Sequence, residues 1–213
     1  MNLYVLDANP TSAARFHNDR HVSKAILECV QLLVSAHVYL NGKSTADTRL
    51  AFDTDEFMRE THINHPNAVW TRTSRATYVW VYMLLTELLV EYRRRNGRAH
   101  AYTLRGLISP PAPEAGPAAT LPAAPSASAS HGLPEGGIWG SLYAYPLALP
   151  IGPRPPWPQC VPPRYKRSDT IEAYRLYYYA EKRHLATWNG GRDAMPWWFD
   201  EMARRTNTGG ATL

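Results

Sequence analysis

The chain has 213 residues, enough for one domain with a sizeable core. Hydrophobic residues make up 45% of it, with seven Trp and thirteen Tyr, which excludes a disordered or fibrous chain. A net charge of +5 and a pI of about 9.3 permit an anionic partner without requiring one. Cys29 lies in an apolar segment and Cys160 in proline-rich chain, which gives no disulfide framework and fits a reducing cytoplasm. No apolar run approaches the roughly 20 residues of a bilayer span, so no membrane is expected. Met1–Asp7 has neither the basic region nor the apolar core of a signal peptide.

Residues 2–6 alternate weakly, as a short strand or an extended lead-in, and Asp7-Ala8-Asn9-Pro10 is a turn. Thr11 or Ser12 can cap a short helix through His17, ending at Asn18. Asp19 then caps a long helix to Leu40, stopped by Asn41-Gly42. Residues 43–62 are polar, with one helical turn around Asp55–Glu60. His62-Ile63-Asn64-His65-Pro66 reads as an extended or turn segment, because proline disfavours helix at the preceding residue.

Ser74 caps a second long helix over Arg75–Arg95, and three terminal arginines suit the negative end of its dipole. Fifteen of the eighteen prolines fall between residues 106 and 167. Residues 109–137, rich in Pro, Ala and Ser, read as a flexible insertion without a core of its own. Residues 138–163 read as irregular chain packed on the body. A third long helix starts at Ser168-Asp169 and runs to Trp188, and a short helix begins in Met195-Pro196-Trp197-Trp198-Phe199. The fold class is therefore mainly α, a single-domain helical bundle with three long helices and a proline-rich irregular insertion. Residues 1–108 form a helical core carrying the site, and 138–213 add irregular chain and C-terminal helices to the same core.

On the first long helix, His21, Lys24, Glu28, Gln31 and Ser35 fall within one stripe about 80° wide. The rest of that helix is nearly all apolar, so it should be buried, with its polar stripe facing polar partners or a cleft. Lys24 and Glu28 at i, i+4 read either as a buried structural ion pair or as acid/base groups lining that cleft. His21, with Arg20 beside it and the first-turn amides, can hold a phosphate.

His17/His21 and His62/His65 invite a metal reading, but the Cys or carboxylate ligands of a zinc site are missing, so no metal is expected. Asn64 and His65, with Pro66 fixing the loop, read as polar contacts to a substrate or as plain turn chemistry. Trp70, Trp80, Tyr78 and Tyr82 are core aromatics by default and stacking partners for an unstacked base as the alternative. No glycine-rich phosphate loop of standard spacing is present, so no nucleotide cofactor is expected. Arg72, Arg95, Arg98, Lys166 and Arg175 belong to basic clusters interleaved with aromatics, which suits nucleic acid as well as solvated helix ends.

Two family resemblances rest on these residues. Asp19-Arg20-His21-Val22 with Lys24 and Glu28, then His62, Asn64, His65, Pro66 and Trp70, resemble a family of small phage-encoded proteins. Tyr165-Lys166 and Ala173-Tyr174-Arg175 with Tyr177-Tyr178 complete that pattern. More distantly, Asp19, His21 and Glu28 resemble the helix opening of the phage pyrimidine-dimer DNA glycosylases (the endonuclease V type). In that family the glutamate seven residues after the histidine is catalytic. His65-Pro66 and the basic end at Arg93–Arg98 are also similar.

The glycosylase resemblance implies a helical enzyme that flips a nucleotide from double-stranded DNA and cuts its glycosidic bond. It also implies a terminal amine that attacks C1′, but Asn2 is large enough to leave Met1 in place. Two routes then stand: Glu28 activating water, or Lys24 serving as the amine. The expectation is a DNA-acting enzyme in the cytoplasm of a phage-infected bacterial cell, acting as a monomer on damaged or modified pyrimidines without a cofactor. Glu28, Lys24 and His21 are its catalytic candidates. Arg20, Asn64, His65, Trp70, Arg72, Arg95, Arg98, Lys166 and Arg175 are its DNA-binding candidates. A base-modifying enzyme using the same pocket, a non-catalytic DNA-binding phage protein, and a hydrolase acting on a free nucleotide or sugar are the alternatives.

Overall fold

The computed structural model describes residues 3–41, 62–101, 149–189 and 195–207. Within them lie the helices α1 (Pro10–Phe16), α2 (Asp19–Asn41), α3 (Pro66–Thr71), α4 (Arg75–Asn96), α5 (Thr170–Lys182) and α6 (Trp197–Asn207). Single 3-10 turns occupy Pro163–Tyr165 and Arg183–Leu185, and no strand forms among the described residues. The chain is mainly α, as its periodicity indicates. The expected insertion at 109–137 and the turn at Asp55–Glu60 lie outside the described residues.

The helix starts follow local chemistry, with small corrections. Asn9, not Thr11 or Ser12, caps α1: its side chain accepts the Thr11 and Ser12 N–H groups at 2.8 and 3.3 Å, with Pro10 at the first helical position. Asn18, not Asp19, caps α2 by accepting the His21 N–H at 2.9 Å, which leaves the Asp19 carboxylate for long-range bonds. Ser74 caps α4 in a reciprocal box with Thr77, and Gly97 ends that helix at φ 67, in the left-handed region that suits glycine.

The His62–Pro66 stretch is a turn that feeds α3, a helix the sequence did not announce. His65 caps it and Pro66 takes its first position. α5 ends at Lys182, six residues before the expected stop, where the chain tightens into a 3-10 turn.

α2 packs most extensively on α4, with α1 laid on α4, α3 against both, and α6 on α5. Ile26, Leu32 and Leu33 of α2 and Leu84, Leu85 and Leu88 of α4 are fully buried, as are Tyr174 and Tyr178 of α5. Each such leucine contributes about 1.5–3 kcal/mol relative to exposure, so this seam carries much of the fold. By length and composition α2 could cross a membrane, which a search for uninterrupted apolar runs overlooks. Here 67% of its apolar window is buried inside the protein, as in the core helix of a globular domain.

A tyrosine-walled cluster at the start of α2

The polar stripe of α2 lies on the boundary between interior and solvent. His21, Glu28 and Ser35 are buried, Gln31 is half-buried and Lys24 is exposed. The solvent side of the helix runs instead through Arg20, Ser23, Lys24 and Leu27. The Lys24 Nζ lies 3.8 Å from Glu28 Oε1, with side-chain exposures of 58% and 10%. The pair is therefore neither sealed in the core nor fully solvated: the carboxylate sits inside and its ammonium sits at the rim.

Three other segments complete the cluster. From the extended N-terminal chain, Tyr4 stacks on His21 with 5.2 Å between ring centroids, and on Tyr177 of α5 at 6.2 Å. The chain after α5 crosses the start of α2. The Asp19 N–H donates to the Thr187 carbonyl at 2.9 Å, and the Asn189 N–H donates to Asp19 Oδ1 at 3.0 Å. These bonds tie the end of α5, with Lys182 and His184, to the turn of α2 that carries His21. Lys182 lies over the Tyr177 ring, 5.6 Å from its centroid.

Tyr178 sets the state of His21. Its hydroxyl oxygen accepts the Asn18 N–H at 2.8 Å and lies 2.8 Å from His21 Nδ1. The phenolic hydrogen goes to Nδ1 in one tautomer of His21, and the phenolic oxygen accepts from Nδ1–H in the other. Burial pushes the Tyr178 phenol far up, which keeps that hydrogen in place. Burial first, and then the charges of Lys182, Lys24 and His184, lower His21 to about 4, so near neutral pH it is an uncharged N–H donor.

The remaining predicted residues are spread over the molecule. Arg95 is an interior residue, with 1% of its side chain exposed. It donates to Glu91 Oε2 at 3.0 Å, to Asp19 Oδ1 at 3.2 Å, and to the carbonyls of His17 and Arg15 at 2.7 and 2.9 Å. It thus finishes the C-terminal end of α1 with a cation, where the helix dipole favours one. Arg175 donates to the Leu6 carbonyl and to Asp7 Oδ2 at 2.8 and 3.0 Å, tying down the N-terminal chain.

Trp70 is buried, donates to the Pro155 carbonyl at 3.1 Å and stacks near Trp157. Arg72 donates to the Ile63 carbonyl and lies over the Tyr39 ring at 4.0 Å. These four spend their polar groups within the fold. Arg20, Asn64, Arg98 and Lys166 are exposed.

His65 does not touch His21, Lys24 or Glu28 among the described residues; its ring accepts the Asn67 N–H. The two regions are linked indirectly. The Cys160 thiol donates to Asn67 Oδ1 at 3.4 Å, and the Cys160 N–H donates to the Tyr174 hydroxyl at 3.1 Å. Tyr174 then meets Tyr4 edge-on, 6.4 Å between centroids. No group of side chains able to hold a metal ion occurs among the described residues.

Sequence reasoning missed Tyr4, Asn18, Tyr178, Lys182 and His184. The Tyr178 hydroxyl needs α5 beside α2 before it meets the Asn18 N–H and His21 Nδ1, and only the tyrosine run at 177–179 hinted at that wall. Comparison of the chain with protein-family models, curated proteins and solved structures found no match.

Proposed function

We propose that this protein is a DNA-acting enzyme that works on a nucleotide drawn out of the duplex, with Glu28 as its acid/base group. The observation that carries this is the pairing of a covered carboxylate with a rim of cations. Glu28 is 8% exposed, Lys24 stands beside it at the surface, and Lys182 lies over the Tyr177 ring at the end of α5. A carboxylate beside an ammonium favours its charged form and can take a proton, while the cations attract a phosphodiester strand.

The first reaction class is cleavage of the glycosidic bond of a damaged or modified pyrimidine. Glu28 takes a proton from water, the water oxygen bonds C1′, and the C1′–N electron pair leaves with the base. Lys24 serves here as a cation beside Glu28, 3.8 Å from its Oε1. Of the two routes, water activated by Glu28 or Lys24 as the amine, the proposal takes hydrolysis.

A second reading is modification of the pyrimidine in the same pocket, with Glu28 deprotonating an attacking group. Its support is the same cation rim, which suits a reaction that holds an anionic group beside the base as well as one that releases a base. Exposed Arg20, Arg98 and Lys166 are the proposed backbone contacts, and a single copy of the chain is the proposed acting form.

The test is incubation with UV-irradiated and phage-modified duplexes, followed by gel analysis for strand cleavage and mass spectrometry of the released bases and nucleosides. A base released or altered by the wild type, and not by Glu28→Gln at equal DNA binding, supports the proposal. Binding without any chemistry in either protein would leave a DNA-binding protein, and failure to bind would favour a free-ligand hydrolase.

A further inference from the structure

We infer that Arg72 and Arg154, each laid on an aromatic ring beside the α3–α4 turn, form a clamp for the phosphate backbone of double-stranded DNA. The inference rests on the DNA-facing function proposed above and names a further surface that would hold the strand.

Many arginines of this fold are matched by carboxylates. Arg94 and Arg95 meet Glu91 at 2.8 and 3.0 Å, Arg164 meets Glu181 at 2.6 Å, and Arg175 meets Asp7 at 3.0 Å. Arg72 and Arg154 are held in another way. The Arg72 guanidinium lies over the Tyr39 ring, 4.0 Å from its centroid, and gives an N–H to the Ile63 carbonyl. That carbonyl fixes the group without neutralising its charge. The Arg154 guanidinium lies over the Trp157 ring, 4.4 Å from its centroid, on an exposed residue. Among the described residues it donates no hydrogen bond, and neither arginine meets a carboxylate. Burial of part of its side chain lowers the Arg154 pKa, and no carboxylate opposes that shift.

Contacts join the two sites into one packed unit. Ser74, two residues after Arg72, donates its hydroxyl to the Pro153 carbonyl at 3.3 Å, and the Arg75 N–H donates to the Pro150 carbonyl at 3.0 Å. Trp157, under Arg154, stacks near Trp70 of α3, whose indole donates to the Pro155 carbonyl at 3.1 Å. Residues 62–86 and 149–168 contain no Asp or Glu, although the chain has 18 acidic residues. Two like charges fixed on one unit repel each other, and a polyanion relieves that repulsion.

The ring contacts also specify how the anion is met. A guanidinium backed by a ring presents its edge N–H groups as a preset fork, the geometry that suits phosphate oxygens. Tyr39, 55% exposed, relates the clamp to the proposed acid/base group. It stands eleven residues beyond Glu28 on α2, about 20° around the helix and about 16 Å along it. That rise matches about five nucleotide steps, so one duplex is long enough to meet both places.

The experiment follows binding of the full chain to a short labelled duplex by anisotropy over a range of salt. Arg154→Gln should weaken binding about tenfold and lower the slope of log affinity against log salt by about 0.9. Arg72→Gln should act alike, and the double variant should lose about twice that slope. Arg154→Lys keeps the charge but not the fork, so it should keep the slope while losing affinity several-fold. Arg154 is exposed, so its variants should melt as the wild type does, and they decide the matter even if Arg72→Gln fails to fold.

Polyglutamate is the second probe. If Arg154→Gln loses polyglutamate binding and keeps duplex binding, the surface takes an acidic polypeptide and the clamp is overturned. Wild-type affinity and slope in Arg154→Gln also overturn it, as does a wild type that binds no duplex. Glu28→Gln should keep the wild-type slope, so its loss of chemistry and the loss of binding in Arg154→Gln test different claims. Products retained in Glu28→Gln would remove the acid/base assignment, and an altered slope in Arg154→Gln would still support the clamp.

Discussion

Replacing Arg95 by Met should cost the protein much of its stability while leaving any DNA affinity nearly unchanged. The guanidinium is almost fully enclosed and makes four hydrogen bonds, two to the carboxylates of Glu91 and Asp19 and two to carbonyls at the end of α1. Methionine fills much of the same volume but satisfies none of these acceptors. Glu91, itself 4% exposed, would keep Arg94, which approaches it at 2.8 Å from a more exposed position.

Removing one partner of a buried, hydrogen-bonded ion pair costs about 3–5 kcal/mol, because the other charge is left uncompensated. For a chain of this size each kcal/mol lowers Tm by about 2–4 °C, so the melting temperature should fall by about 10 °C. Thermal and urea unfolding followed by circular dichroism would measure the loss, and fluorescence anisotropy with labelled duplex would measure binding. A change under about 1 kcal/mol, together with a weaker and less salt-dependent DNA interaction, would refute the structural assignment and place Arg95 at an interface.

Other perturbations probe separate parts of the molecule. His17 is lowered to about 3, by burial first, and His21 to about 4, against an ordinary value of 6.5. Their folded values are depressed, so their contribution to stability is complete above about pH 6.5. It is lost as pH falls from there through 4 towards 3, while the unfolded chain takes up protons that the fold refuses. Urea titrations across that range should show the decline, and His17→Gln should flatten it. Ser74→Ala removes the side-chain acceptor for the Thr77 N–H and should cost about 1 kcal/mol, with no effect on DNA binding. Neutralising exposed Arg20, Arg98 or Lys166 with Gln should leave Tm within about 1 °C and lower the slope of log affinity against log salt by about one unit for each phosphate no longer neutralised. A slope unchanged in all three variants would remove them from the DNA surface.

The parts of the fold legible in sequence were those fixed by local chemistry. The apolar periodicity of α2 and α4, the Ser74 cap and the Asn96-Gly97 stop need only neighbours in the chain. The cap shifts at Asn9 and Asn18 are of the same local kind; several polar residues at each start could serve, and tertiary bonds chose among them. Asp19 is a case in point, since its carboxylate is taken by Arg95 and the Asn189 N–H and is not left to cap its own helix.

The site was legible only in part. His21, Lys24 and Glu28 share a stripe because helical geometry makes them share it. Whether each faces water or protein depends on α5 and on the chain after it. Basic residues were the least readable. Arg95 and Lys166 look alike in sequence, yet one closes the end of α1 and the other is exposed. Nothing in composition separates a buried arginine that satisfies carbonyls from one free to meet a phosphate.

The direct test of Glu28 as the acid/base group is a paired measurement on wild type and Glu28→Gln. It follows duplex affinity by anisotropy and chemical change by mass spectrometry of the bases and nucleosides from UV-irradiated or phage-modified DNA. The predicted result is equal affinity within about twofold, with base release or alteration seen only in the wild type. Identical products from both proteins would contradict the role assigned to Glu28.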